Sequence, residues 1–413
     1  MIKKIKDRLY GLAVDYSPKF GLDLPYFIQG GFWLVLAQAF AMFKNFILSI
    51  LFANWITKDI YGQYVFIMGV LSISIIFSLP NLKPSITQAV SNGFDGTYTV
   101  ALKRSIKFSF LGSIFMFCSF IYCHIAGRIY GEKIFLVMIL LFPLYHSSSF
   151  FSALYSGKEK FSELSVLNVI FSLVSLLIIS LVIFFKKDLF SIVLSTVLVK
   201  IIIQGYYTFF YAMKDISNAQ FSRENIDFGM KTNLSEALNI FATYFDSILV
   251  PIFINFESLA IYTIITVLPN QIKVAFNTFT PLFLPKLSKN KITKKQLLSH
   301  VIKILIIAVI GILIYILLAP FIFDIFYKPY SEYVWMSLLY SVSLLILPQR
   351  FLVAVLQSRL NVKKINTLNY FLSSLLIVSA LIGVQFGLLG LVISRIVFRL
   401  LIIIIIIILT HMA

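Results

Sequence analysis

Acidic residues are scarce in this chain. Asp and Glu together number 17 among 413 residues, and all charged residues amount to 13%, about half the ~25% of a soluble globular protein. So few charges cannot cover the surface of a water-soluble chain of this length. At ~150 residues per domain, length alone would suggest two or three soluble domains, and composition overrules it. Cysteine is nearly absent: Cys118 and Cys123 are the only two, both in an apolar stretch. That excludes a disulfide framework and metal-ligand spacing, and the pair is expected to serve as small buried packing residues. A Walker motif, a metal-binding cluster and a Ser/His/Asp arrangement are all missing, so neither ATP-driven chemistry nor resident metal or cofactor chemistry is expected. The first 27 residues carry Lys3, Lys4, Lys6, Arg8 and Lys19 without a short apolar core and small-residue cleavage site, so no cleaved signal peptide is expected.

What fills the chain is apolar. Hydrophobic residues make up 60% of it and the mean hydropathy is +0.94, which implies an all-α, polytopic membrane protein. The net charge of +18 would suit nucleic acid if it were clustered, but Lys and Arg punctuate the apolar runs, the pattern of membrane topology, so the lipid bilayer and not nucleic acid is the expected partner.

A transmembrane helix needs about 20 mostly apolar residues. Twelve such runs are found, near 28–56, 61–79, 105–125, 134–156, 164–185, 189–213, 232–254, 259–284, 301–319, 333–357, 365–384 and 388–410. With both termini cytoplasmic, the N-terminus and the loops on its side hold 21 Lys and Arg against 6 on the opposite side, as the positive-inside rule requires. The longest outside loop expected, 320–332, is too short for an extramembrane catalytic domain.

Shifting the chain on itself by 201 residues aligns Ile47 and Leu48 with Ile248 and Leu249, Phe52 with Phe253, Asn54 with Asn255, and Ile60 and Tyr61 with Ile261 and Tyr262. Pro80 and Pro84 then fall on Pro281 and Pro285. The offset spans an even number of helices, so the halves are parallel repeats about an axis along the membrane normal. Two six-helix bundles are expected, over 1–215 and 216–413, with a site between them. The prolines are candidate hinges, or ordinary helix ends.

The stretch Leu51–Tyr64, with Tyr61, Gly62 and Tyr64, resembles the signature closing the first helix of Wzx-type O-antigen and exopolysaccharide flippases of the MATE-like superfamily. Asp246–Tyr262 and Pro285–Ser288 resemble the same family's seventh and eighth helices. Thr263 departs from the pattern, since the first half has Gly62 there. The resemblance implies a MATE-like fold in the bacterial inner membrane. It also implies transfer of an undecaprenyl-pyrophosphate-linked oligosaccharide to the periplasmic leaflet, beside a polymerase and a chain-length regulator of the same pathway.

Charges inside the spans test that chemistry, because a charge at mid-bilayer costs about 3 kcal/mol or more. Lys44, Lys200, Lys273, Arg395 and Arg399 lie near mid-span and Arg350 nearer the cytoplasmic end, against only Asp246 and Glu236. An excess of cations is expected to face a wet cavity and bind an anion such as pyrophosphate. Arg395 and Arg399, spaced i, i+4, share a helix face. Lys107 and Lys303 lie close enough to the interface to snorkel. Asp246 is the candidate for proton or sodium coupling, or else for a permanent salt bridge to a lysine. Glu236 and His146 are lesser coupling candidates. A small-solute or drug antiporter remains an alternative, although a cationic interior would repel cationic drugs. An O-antigen polymerase is a second alternative, although it would need a large periplasmic loop. The loop motif of a major-facilitator carrier is missing.

Overall fold

The computed structural model describes residues 24–125, 132–278, 294–349, 351 and 362–412. Every regular element among them is helical. The N-terminal half contains α1 (Leu24–Trp55), α2 (Lys58–Ser74), α3 (Leu82–Ser91), α4 (Thr97–Ile125), α5 (Glu132–Ser147), α6 (Phe151–Gly157), α7 (Phe161–Phe185) and α8 (Leu189–Tyr206). The C-terminal half contains α9 (Arg223–Phe253), α10 (Phe256–Thr278), α11 (Lys294–Phe326), α12 (Val334–Ser341), α13 (Val362–Val384) and α14 (Gly387–Met412). Residues 216–222 connect the halves without regular structure.

Ten helices among the described residues are long and apolar enough to cross a membrane, and Asn369–Val384 is a shorter apolar helix. The chain is a multi-pass, all-α membrane protein. The sequence reading of twelve spans is not matched one for one. The run expected at 333–357 is a short α12 followed by a 3-10 turn, Val342–Ile346, and then continues into residues outside the described set. The loop expected at 320–332 is mostly helix. Pro320 sits inside α11, and the apolar run behind it carries the helix on to Phe326. A 3-10 turn, Lys328–Tyr333, then enters α12.

Helix starts follow local chemistry. Thr57 caps α2 by accepting from the Ile60 amide at 3.4 Å, Asp188 caps α8 at Ser191 (2.9 Å) and Asn255 caps α10 at Ser258 (2.7 Å). Each cap satisfies an amide that would otherwise be orphaned in a low-dielectric setting. The outer faces are hydrophobic: along α11, Ile306, Ile310, Leu313, Leu317 and Phe321 are all exposed, as lipid contact demands. Cys118 also lies exposed, on α4, and not in the packed interior expected of it, because its side of α4 also carries exposed Ile114, Phe117 and Tyr122.

Helix pairings recur between the halves. α1 packs along α7 as α9 packs along α13; α7 pairs with α8 as α13 pairs with α14; α4 pairs with α5 as α11 pairs with α12. The halves meet where α2 packs on α9 and α10, α1 on α10, and α3 on α9. At the end where α1 finishes, Asn54 donates to the Phe326 carbonyl (2.7 Å) and Ser49 bonds Tyr327 (2.8 Å). At the opposite end Asn81 donates to the Thr232 carbonyl at 2.9 Å.

Candidate functional site

The intramembrane charges fall into two groups with different surroundings. In the C-terminal half, Asp246 of α9 is buried and paired with Arg395 of α14, which is 3% exposed. Arg395 donates from Nε to Asp246 Oδ2 (2.9 Å) and from Nη2 to Oδ1. Its Nη1 donates to the Leu376 carbonyl at 2.8 Å. The Tyr262 hydroxyl of α10 donates to Asp246 Oδ2 at 2.8 Å. One carboxylate thus ties α9, α10 and α14 together, and its guanidinium partner reaches α13. Removing one partner of such a pair costs roughly 3–5 kcal/mol, because the other charge stays buried.

One turn along α14, Arg399 donates from Nη2 to the Tyr340 hydroxyl (2.7 Å) and from Nη1 to Ser343 Oγ. Its guanidinium also lies 4.9 Å from the Tyr340 ring centre. Arg395 and Arg399 therefore share a helix face that packs inward, with their donors directed to the protein itself. Asp246 has an arginine partner in place of the lysine considered from sequence, because α9 and α14 both pack against α13 and the two side chains meet there.

The N-terminal half holds the other group. Lys200 on α8 is half-buried, with its ammonium 3.7 Å from the centre of the Tyr145 ring. Lys44 on α1, also half-buried, lies 5.1 Å from the Phe171 ring centre and within electrostatic range of Lys200. Lys83 at the start of α3 donates to Ser149 Oγ at 2.6 Å and faces the Phe150 ring at 5.5 Å. Among the described residues, none of these three lysines has a carboxylate within ion-pair distance. Aromatic faces offset part of the cost of their charge, about 0.5–2 kcal/mol each, but do not neutralise it.

The other expected site residues are distributed as follows. His146, 2% exposed, sits at the end of α5 close to Lys83 and Lys200. Lys273 is half-buried on α10, and Glu236 on α9 accepts a long contact from Asn239 (3.5 Å). Lys107 and Lys303 are exposed on α4 and α11. Pro80 lies between the second span's 3-10 turn and α3, directly after Leu79 in a left-handed conformation (φ 55°), and Pro84 is in the first turn of α3. Arg350, Pro281 and Pro285 lie outside the described residues.

Lys83 escaped the sequence reading because it lies between Pro80 and Pro84, where it counted as a loop cation. The apolar span ends at Ser78, and a separate short helix, α3, starts at Leu82 and carries Lys83 in its first turn. Tyr262 was visible only as a repeat identity with Tyr61, and its bond to Asp246 depends on how α9 and α10 pack.

Residues 27–291 match the family described as "Polysaccharide biosynthesis protein". Among solved structures, the chain is similar to a MOP superfamily transporter from Pyrococcus furiosus, with a TM-score of 0.63 at 14% identity over 94% of this chain and 95% of that one. It is similar to the lipid II flippase MurJ in an inward closed conformation, with a TM-score of 0.67 at 12% identity over 92% of this chain and 87% of that one. An outward-facing multidrug resistance MATE transporter of the MOP superfamily gives a TM-score of 0.62 at 13% identity, over 94% and 95% of the two chains. At these identities the likeness is one of fold. No curated protein matches the chain in sequence. On a family match covering well over half of its residues, the chain belongs to the polysaccharide biosynthesis protein family, and it is built on the fold of MOP superfamily transporters.

Proposed function

We propose that this protein is a Wzx-type flippase that moves an undecaprenyl-pyrophosphate-linked oligosaccharide from the cytoplasmic to the periplasmic leaflet of the bacterial inner membrane. Lys44 and Lys200 bind the pyrophosphate. The observation that carries the reading is their placement: two half-buried lysines inside membrane-spanning helices, close to one another and without a carboxylate partner among the described residues. A cation held at such a depth without a counter-ion suits an anionic ligand, and an ammonium supplies point charge to phosphate oxygens. The family is one of polysaccharide biosynthesis, which supports a glycan-bearing cargo. The MurJ neighbour is named as a lipid II flippase, which supports a lipid-linked one.

The C-terminal arginines hold that half together in this reading, and Lys273 is a secondary contact for the ligand. Transport is driven by a proton or sodium gradient, and a polymerase and chain-length regulator act on the delivered repeat units.

The test is a deletion strain complemented with wild type or with the Lys44→Gln/Lys200→Gln double variant. The expected result is complete single repeat units on undecaprenyl pyrophosphate, held in the cytoplasmic leaflet, for both the deletion and the double variant. Unpolymerised single units reaching the surface would instead indicate a polymerase. Normal surface glycan in the double variant would remove the two lysines from the mechanism.

A further inference from the structure

Three spans of the N-terminal half lose helical regularity next to one another. The second span tightens into a 3-10 turn at Ile75–Ser78, where it ends, and left-handed Leu79 and Pro80 lead into the short helix α3. The fourth breaks at 148–150 between α5 and α6. The sixth passes through a π-helical turn at Tyr207–Tyr211. The breaks are bonded to each other. Thr208 Oγ1 donates to the Ser148 carbonyl and accepts from the Phe151 amide (3.1 Å), while Lys83 reaches Ser149 (2.6 Å). Irregular backbone at membrane depth survives only where protein surrounds it or where it borders a polar space. Interrupted helices are where transporters build their binding sites.

The chemistry at this junction is cationic. Lys83 and Lys200 converge on one turn of chain, 145–150, the first at Ser149 and Phe150 and the second at Tyr145. His146 stands on the same turn. It is 2% exposed, its Nε2 has no hydrogen-bond partner among the described residues, and it lies within electrostatic range of both lysines. A buried nitrogen without a partner costs about 1–3 kcal/mol, so a ligand oxygen at this point would relieve a real penalty.

We propose that Lys83, Lys200 and His146 form a phosphate-binding subsite at this junction, built for a doubly negative diphosphate diester. Two ammonium groups match that charge, and the Nε2–H tautomer of His146 donates the third bond. A singly negative phospholipid headgroup would leave one ammonium uncompensated. The Ser149 hydroxyl positions Lys83. This assignment rests on the flippase reading and adds Lys83 and His146 to it.

The test uses the full chain in phosphatidylcholine nanodiscs, titrated calorimetrically with inorganic pyrophosphate. Lys83→Gln, which removes the charge and leaves a polar side chain, is expected to bind about tenfold more weakly, the worth of one charge-assisted bond. Lys83→Arg should stay near wild type, and so should Lys303→Gln. Thermal unfolding of Lys83→Gln that matches wild type guards against misfolding of the lysine variant. Unchanged affinity in Lys83→Gln, with Lys44→Gln and Lys200→Gln weakened, would overturn the subsite while leaving the flippase reading in place. Pyrophosphate binding that follows Lys83, together with normal surface glycan in the deletion strain, would do the reverse. Loss of that binding in phosphatidylglycerol nanodiscs would identify a lipid-headgroup site and overturn the diphosphate assignment.

Discussion

Arg395 on α14 embraces both carboxylate oxygens of Asp246 on α9, a partner 149 residues earlier in the chain. With Tyr262 donating to the same carboxylate and the Leu376 carbonyl accepting from Arg395, one ion pair cross-links four helices of the C-terminal half. Six cations stand against two carboxylates in the spans read from sequence; in three dimensions Asp246 pairs with Arg395, while Arg399, Lys44 and Lys200 have no carboxylate within ion-pair distance among the described residues.

Asp246→Asn is expected to destabilise the protein by about 3–5 kcal/mol, because it leaves the Arg395 guanidinium buried and unpaired. Arg395→Gln should cost a similar amount, and the double variant clearly less than the sum. A double-mutant cycle on thermal unfolding in detergent checks this, and strict additivity would contradict the pairing. If Asp246 also couples transport to an ion gradient, the pair must open during the cycle. A double variant that folds and transports with normal gradient dependence would exclude such coupling.

Arg399→Lys should cost roughly 1–3 kcal/mol despite keeping the charge. A point ammonium cannot hold Tyr340 and Ser343 at once, and the buried Tyr340 hydroxyl loses a charged partner. Ser343→Ala should cost less, about 1 kcal/mol. Equal stability of wild type and Arg399→Lys would show that the fork geometry does not matter.

Gly62→Ala tests how tightly the halves approach. A Cβ on Gly62 of α2 would overlap the Phe256 backbone carbonyl of α10, and backbone cannot swing aside as a flexible side chain can. A loss of about 1–3 kcal/mol is expected. Gly311→Ala on α11, where a Cβ meets nothing within 4 Å, should be neutral or slightly stabilising. Similar unfolding temperatures for the two variants would contradict the close approach.

Acid should loosen the connector between the halves. Burial pushes the Asp95 carboxyl pKa up, but the Lys158 ammonium (2.8 Å) and the Ser217 amide (2.9 Å) outweigh it and hold the value below the ordinary carboxylate range. A carboxyl depressed in the folded state contributes stability that is fully present above its unfolded pKa of ~3.9 and is lost as pH falls through the folded value. Thermal unfolding of wild type should therefore weaken below about pH 4 more steeply than that of Asp95→Asn. Parallel curves would show that the pair contributes nothing.

The sequence by itself determined the class of molecule. Sixty percent hydrophobic content with 13% charge cannot be hidden from water except in a membrane, and apolar runs of about 20 residues mark where most of the spans lie. Asn54 and Asn255, and Tyr61 and Tyr262, keep register under a 201-residue shift, and helix pairings recur between the halves. Tertiary structure decided what hydropathy cannot encode. Composition alone does not say which carboxylate meets which cation, since Asp246 finds Arg395 only because α9 and α14 both pack against α13. At the repeat-related positions Gly62 and Thr263, a Cβ on Gly62 would overlap the Phe256 carbonyl of another helix, whereas the Thr263 hydroxyl donates to the Leu259 carbonyl of its own helix. Lys83 read as a loop residue because two prolines flank it, yet after a left-handed turn at Leu79 a separate short helix holds it and carries its ammonium to Ser149. Local apolarity fixes where helices run; their packing, which depends on contacts between residues far apart in the chain, fixes which charges are paired with a carboxylate.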